Sequence, residues 1–218
     1  MAEQLFDPEH PVVQRVDFHR QILTSGISKY LSYSTVNDSY NTGESPVLPG
    51  DLQSPDYTRD AIDWSQRPEW LVAYQLRDRQ LRRGILTNLA DHGGEIAHYV
   101  NEDVSRIAVN NIVLAEGLEY AAQLSVDHPR MNVRIVPQED LKASDVNATG
   151  SLILAKTAPV QGVPITIAWQ RDASELIAPG SPEIETMLGK FATLDSVALD
   201  IVESREYLLD EASRLRSL

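Results

Sequence analysis

IAHYVNEDVSRIAVNNIVLAEGLEYAAQLSVDHPRMNVRIVP, from Ile96 to Pro137, is the stretch on which the fold turns. Ala97–Val100 reads as a short strand. Ile107, Leu114, Leu118 and Ala121 then share one face of a helix, with Val113, Gly117 and Leu124 beside it. Asn101 or Asn110 is placed to cap its helical segments. The helix stops at Asp127-His128-Pro129, because the residue before a proline avoids helical dihedrals. Met131, Val133 and Ile135 alternate with Asn132, Arg134 and Val136, the period of a half-buried strand. Strand, helix and strand in this space suit a crossover unit; two antiparallel neighbours are the alternative. The apolar stripe is sufficiently explained as core.

Beyond Pro137 a polar loop covers Gln138–Thr149, and two strands follow. Ser151–Ala155 (SLILA) is continuously apolar and reads as central. In Ile165–Trp169 (ITIAW), Ile165, Ile167 and Trp169 alternate with Thr166 and Ala168, and Pro159 and Gly162 in the connection make a long-looped hairpin. Ser181-Pro182-Glu183 is a helix start with a hydroxyl cap, proline at the first position and an acid in the first turn. Ile184, Met187, Leu188, Phe191 and Leu194 follow at intervals of three and four. A final helix over Asp200–Leu215 carries Ile201, Leu208, Ala212 and Leu215 on one side. The fold class expected is α/β, with α+β as the alternative: a small mixed sheet, packed helices and a C-terminal helical pair.

Upstream, Val12, Val13, Val16, Ile22 and Leu23 line one side of a helix over Pro11–Thr24. Leu31, Ser34-Thr35-Val36 and Gly43 resemble faintly the second half of a helix-turn-helix. The turn is too short, however, and Ser34–Tyr40 holds no basic residue for phosphates or base edges. Residues 1–45 are therefore expected to be a helical and linker segment, a degenerate helix-turn-helix remnant at most, whose tyrosines (Tyr30, Tyr33, Tyr40) pack on a domain over residues 46–218. Pro49-Gly50 signals a turn, and Ser54 caps a helix from Pro55 that turns Tyr57, Ala61, Ile62 and Trp64 inward. Another helix begins near Pro68, with Trp70, Leu71, Tyr74 and Leu81 at helical spacing. Its arginines Arg77, Arg79, Arg82 and Arg83 read as a solvated face paired with carboxylates. The sharper reading is an anion contact, since guanidinium forks suit carboxylates and phosphates.

The balance is acidic, 19 Lys and Arg against 32 Asp and Glu, a net charge of −13. Nucleic-acid binding needs cationic side chains along the phosphates, so direct binding by this chain is not expected. The chain has no cysteine, which excludes disulfides, thiolate metal sites and thiolate nucleophiles. The N-terminus lacks the basic and apolar regions of a secretory signal, and no apolar run would cross a bilayer, so a cytoplasmic protein is expected. His92 and His98 are not spaced as metal ligands, and Asp91, Glu95, Glu102 and Asp103 lack a calcium-loop pattern, so neither a metal nor a cofactor is expected.

Leu48–Tyr57 (LPGDLQSPDY) is similar to the PGLLQTPEY-type opening of the effector domain, DUF5753, of actinobacterial helix-turn-helix regulators, an antitoxin-like transcriptional regulator family. Further landmarks resemble that family in order: Arg79-Gln80 with Ile85-Leu86; the Val100–Val104 strand end with Glu102 at its acidic position; Gln123-Leu124 with Asn132–Pro137. Phe191, Leu194, Ala198-Leu199 and Glu203-Ser204 complete the series. The resemblance runs from about Ser45 to Leu215. Asp51 replaces an apolar residue, Ile107–Asn111 replaces a glycine-rich segment, and the DNA-binding domain is missing or reduced to Ile27–Gly43.

The resemblance implies a non-catalytic regulatory protein, a stand-alone sensor or partner-binding domain that meets a small protein or a small-molecule effector, with homodimerisation compatible. An alternative is a small-molecule-binding protein or enzyme on the same fold. Another is an acidic DNA mimic or inhibitor. For a ligand site the candidates are Tyr57, Arg79, His98, Glu102 and Trp169, polar or aromatic groups near expected element ends. No catalytic spacing is found.

Overall fold

Ile27–Ser34 is β1, an interior strand of a six-stranded sheet. The structure, a computed structural model, describes residues 27–34, 48–61, 68–106, 110–142, 146, 152–157, 166–170, 175–177 and 180–218. The linker or helix-turn-helix reading of Ile27–Ser34 is thus corrected. Tyr30, Leu31, Ser32 and Tyr33 are all buried, because β1 is covered on both faces and its polar side chains find partners on neighbouring elements. The other parts of the N-terminal reading, including Pro11–Thr24 and Tyr40, lie outside the described residues.

The remaining strands are β2 (Glu95–Asn101), β3 (Met131–Val136), β4 (Leu152–Thr157), β5 (Thr166–Gln170) and β6 (Glu175–Ile177), in the spatial order β3-β2-β1-β4-β5-β6. β1, β2 and β3 are mutually parallel. β4 joins β1 antiparallel, and β5 and β6 continue antiparallel. The Ile96–Pro137 stretch is therefore a parallel crossover, and the two following strands pair antiparallel as expected. β6 was not legible from its composition.

Six helices are described: α1 (Pro55–Ala61), α2 (Glu69–Asp91), α3 (Asn111–Asp127), α4 (Gln138–Lys142), α5 (Pro182–Val197) and α6 (Ile201–Arg216). Short 3-10 turns lie at Gly50–Leu52 and Glu102–Arg106. The starts follow local chemistry. Ser54 Oγ accepts the Tyr57 amide and Asn110 Oδ1 accepts the Ile112 amide. Asp200 and Glu203 form a reciprocal capping box. Helix α4 occupies the start of the segment expected to be a loop.

Alternation along the strands sends side chains to two cores. Tyr30, Ile96, Val100, Met131, Val133, Ile135 and Ala155 pack with Leu86 and Ala90 of α2, the Leu114–Leu118–Ala121 face of α3, and Leu208, Ala212 and Leu215 of α6. Leu31, Tyr33, Tyr99, Val136, Leu152, Leu154 and Ala168 pack with Leu141 and with Ile184, Met187, Phe191 and Leu194 of α5. The C-terminal helices α5 and α6 thus cover opposite faces of the α/β sheet. Three residues expected to face inward do not: Leu81, Leu188 and Ile201 are 43%, 38% and 42% exposed. Leu188 follows the buried Met187, Arg82 rather than Leu81 takes the inward position on α2, and Ser204 rather than Ile201 takes it in the first turn of α6. Ile62, Trp64, Ile107 and Ile165 lie outside the described residues.

Candidate functional site

The inner face of α2 is polar where a core helix is ordinarily apolar. Leu71 and Leu86 are buried on it, and between them Gln75, Asp78 and Arg79 are buried as well. The spacing from Leu71 through Gln75, Asp78, Arg79 and Arg82 to Leu86 keeps one face of the helix. It turns these groups towards β1 and the Gly50–Leu52 turn.

That turn delivers Asp51. Arg82 bridges two buried carboxylates, with Nη1 at 3.0 Å from Asp51 Oδ1 and Nε at 2.7 Å from Asp78 Oδ2. Tyr30 Oη on β1 donates to Asp51 Oδ2 at 3.3 Å. The backbone of the turn lies directly on the guanidiniums. A Cβ at Gly50 would sit 3.2 Å from Arg79 Nε and 3.3 Å from Arg82 Nη2, so glycine permits this approach. Burial raises the Asp78 carboxyl above its ordinary range, and Arg82 opposes that rise. Burial likewise raises the Tyr30 hydroxyl, with the Asp51 charge adding to it.

His98 of β2 stands beside Ser32 of β1 in the parallel register. Its Nδ1 is 2.7 Å from Ser32 Oγ, and its ring meets Tyr30 edge-on at 5.8 Å. The side chain is fully buried, and Nε2 has no hydrogen-bond partner among the described residues. Burial lowers its pKa to about 4, with Asp51 acting in the opposite sense. The imidazole is therefore neutral near pH 7, and the Ser32 contact decides its tautomer.

The rim is tied by side-chain bonds. Gln53 Nε2 donates to Leu48 O at 2.6 Å, Thr58 Oγ1 donates to Gln53 Oε1 at 3.1 Å, and Arg83 Nη1 donates to Gln53 O at 2.7 Å. Arg83 also lies 5.2 Å over the Tyr120 ring. Tyr57 Oη accepts the Leu48 amide at 3.3 Å. The Tyr57 ring fits against α3 only because residue 117 is glycine, where a Cβ would fall 2.5 Å from Tyr57 Cδ2. Burial raises the Tyr57 hydroxyl, and Arg79 counteracts it.

Of the solvated, carboxylate-paired face expected for the arginines, Arg77 is solvated and Arg82 is carboxylate-paired; Arg79, Arg82 and Arg83 turn inward. Of the five candidate residues, Tyr57, Arg79 and His98 belong to this buried region. Glu102 lies four residues beyond His98, about 13 Å along the strand, where its carbonyl accepts from Tyr207 Oη at 3.1 Å. Trp169 shares a lateral row with His98, through Ser32 and Ile153, but sits three strands away, about 14 Å. Tyr30, Ser32, Asp51, Gln53, Gln75 and Asp78 were missed as site residues, and Arg82 was singled out only within the anion-contact reading of the four arginines. Polar residues at inward positions of α2 were one signal. Asp51 at an otherwise apolar position of the opening motif was the other.

No three His, Asp or Glu side chains among the described residues converge as a metal-binding group. No described helix is long and apolar enough to cross a membrane. A family profile described as "Domain of unknown function (DUF5753)" matches residues 37–210. The chain belongs to the DUF5753 family. No curated protein and no solved structure matches it.

The DUF5753 landmarks acquire physical roles here. Leu48–Tyr57 builds the turn that carries Asp51 and supplies Tyr57. Arg79 of the Arg79-Gln80 pair faces the cluster, and Gln80 faces outward. Asn132–Pro137 forms β3, and Glu203-Ser204 fastens α6 at its cap and against that strand. The match begins at residue 37, after β1, although β1 supplies Tyr30 and Ser32 to the cluster.

Proposed function

We propose that this DUF5753 domain is a non-catalytic cytoplasmic regulatory domain that senses a signal or binds a partner in transcriptional control, and that the cluster of Asp51, Asp78, Arg82 and His98 is its responsive element. The observation that supports this reading is the polar interior itself. Buried ion pairs are often no more stabilising than apolar residues of the same volume. His98 Nε2 and Asp78 Oδ1 also stay without a hydrogen bond among the described residues, at a cost of about 1–3 kcal/mol each. Groups retained against stability mark functional positions more often than structural ones.

The test separates function from folding. In a host strain lacking the gene, wild-type protein is expected to restore the transcript profile. A variant carrying Asp51→Leu, Asp78→Leu and Arg82→Met is expected to fold, by circular dichroism, without restoring it. Full restoration by the folded apolar variant would remove the cluster from the mechanism. An unchanged profile in the deletion strain would remove the regulatory role.

A further inference from the structure

We infer that the outer face of α2 is a self-association surface, and that its occupant is the same face of a second copy of this chain. Glu69, Ala73, Arg77, Gln80, Leu81, Gly84, Asn88 and Asp91 are its exposed positions, and helical geometry places them on one side. Between the terminal Glu69 and Asp91 that face carries no carboxylate. It presents one cation, Arg77, which has no ion pair among the described residues, and Leu81, 43% exposed.

Two further features make the surface specific. Each copy carries −13 charges, so copies repel unless they meet where carboxylates are scarce. The exposed positions of the other long helices include Glu116 on α3, Glu185 and Asp195 on α5, and Glu203, Glu206 and Asp210 on α6. The α2 face alone among them fits that requirement. Gly84 is the second feature. A mid-helix glycine weakens a helix relative to alanine, yet a Cβ there would meet nothing within 4 Å, so the described residues of one copy supply no reason for it. Gly189 of α5 is equally uncrowded, but it shares its exposed side with Glu185.

In an antiparallel two-fold pairing of α2, Leu81 falls opposite the partner's Gly84, and the reverse contact follows by symmetry. The exposed leucine enters the hollow left by the missing Cβ. Arg77 falls opposite the partner's Asn88 and within one turn of the partner's Asp91, which gives the free cation an anionic neighbour.

Sedimentation equilibrium of the full chain tests this. A dimer is expected whose affinity rises with sodium chloride, because salt screens the repulsion between copies. Leu81→Asp and, as a gentler surface variant, Arg77→Glu, which sets a carboxylate near the partner's Asp91, are each expected to weaken the dimer about tenfold or more with unchanged circular dichroism. Gly84→Ala raises intrinsic helix propensity yet fills the hollow, so it is expected to weaken dimerisation while strengthening the isolated fold. A wild-type chain that stays monomeric at all salt concentrations overturns the inference. So does a dimer indifferent to Arg77→Glu and Gly84→Ala.

Discussion

Ser204 Oγ of α6 accepts the backbone amide of Ile135, on the edge strand β3, at 2.9 Å. The carbonyl of the same Ile135 accepts the Leu199 amide at 2.9 Å, and Ser125 Oγ of α3 accepts the Val133 amide at 3.3 Å. The open side of β3 is thus closed by helix side chains and the α5–α6 connection rather than by another strand. Closure of this kind denies the edge to a foreign strand. It also explains why a serine occupies an otherwise apolar inward stripe on α6.

Ser204→Ala is expected to destabilise the protein by about 1–3 kcal/mol, since it leaves the buried Ile135 amide without that acceptor. Urea denaturation measures the change. A shift as small as that from an ordinary surface substitution would show that the amide finds another acceptor.

Arg82→Met is expected to cost about 3–5 kcal/mol, because it strands Asp51 and Asp78 in the interior without the guanidinium they share. Adding Asp78→Leu is expected to recover part of that loss, since one of the two stranded charges disappears. A double-mutant cycle by denaturant unfolding reads the coupling. Additive losses would mean that the two side chains act independently.

The crossover was legible because Leu114, Leu118, Ala121, Val133 and Ile135 are apolar at the period of their own element, and that pattern is local. β1 was not. Ile27–Ser34 mixes Ser28, Lys29, Ser32 and Ser34 with tyrosine and leucine, and Ser32 tolerates burial through His98, 66 positions away. Tyr57, Arg79 and His98 could be singled out as polar or aromatic groups near element ends. Asp51, Asp78 and Tyr30 required knowledge of which helix face meets which strand. Their pairing crosses from the Gly50 turn to α2 and β1, and no spacing in one segment records it. Glu102 and Trp169 met the same sequence criterion as His98 and sit elsewhere, which shows its limit.

Acid should weaken the fold through His98. Its folded pKa, about 4, lies below the ordinary histidine value of about 6.5. Between them the unfolded chain binds a proton that the folded protein refuses. The contribution is therefore present above about pH 6.5 and lost as pH falls towards 4, on the order of 3 kcal/mol in all. Asp78, whose pKa is raised, acts in the opposite sense and favours the fold as pH falls. His98→Gln isolates the histidine, and the wild-type minus variant stability should slope between pH 6.5 and 4. A flat difference would show that His98 protonates without unfolding.

Arg134 joins β3 to the end of α5 through geometry more than charge. Nε donates to Leu199 O at 2.9 Å, and Nη2 donates to Ala198 O at 2.7 Å and Asp195 O at 3.1 Å. Nη1 pairs with Asp195, whose Oδ1 also accepts from Tyr99 Oη at 2.8 Å. Asp195 is well exposed, so the ion pair itself contributes little. The forked donation to carbonyls at a helix C-terminus is the larger contribution. Lysine retains the charge but not the fork. Arg134→Lys should therefore cost about 1–3 kcal/mol, close to the loss from Arg134→Met, by thermal or urea unfolding. If lysine instead retained nearly all the stability, charge would be the cause and the fork incidental. Asp195→Asn supplies an independent reading. Burial raises the Tyr99 hydroxyl first, and the Asp195 hydrogen bond and charge raise it further. Removing that charge should lower the Tyr99 pKa in an ultraviolet titration while leaving the three carbonyl contacts of Arg134 in place.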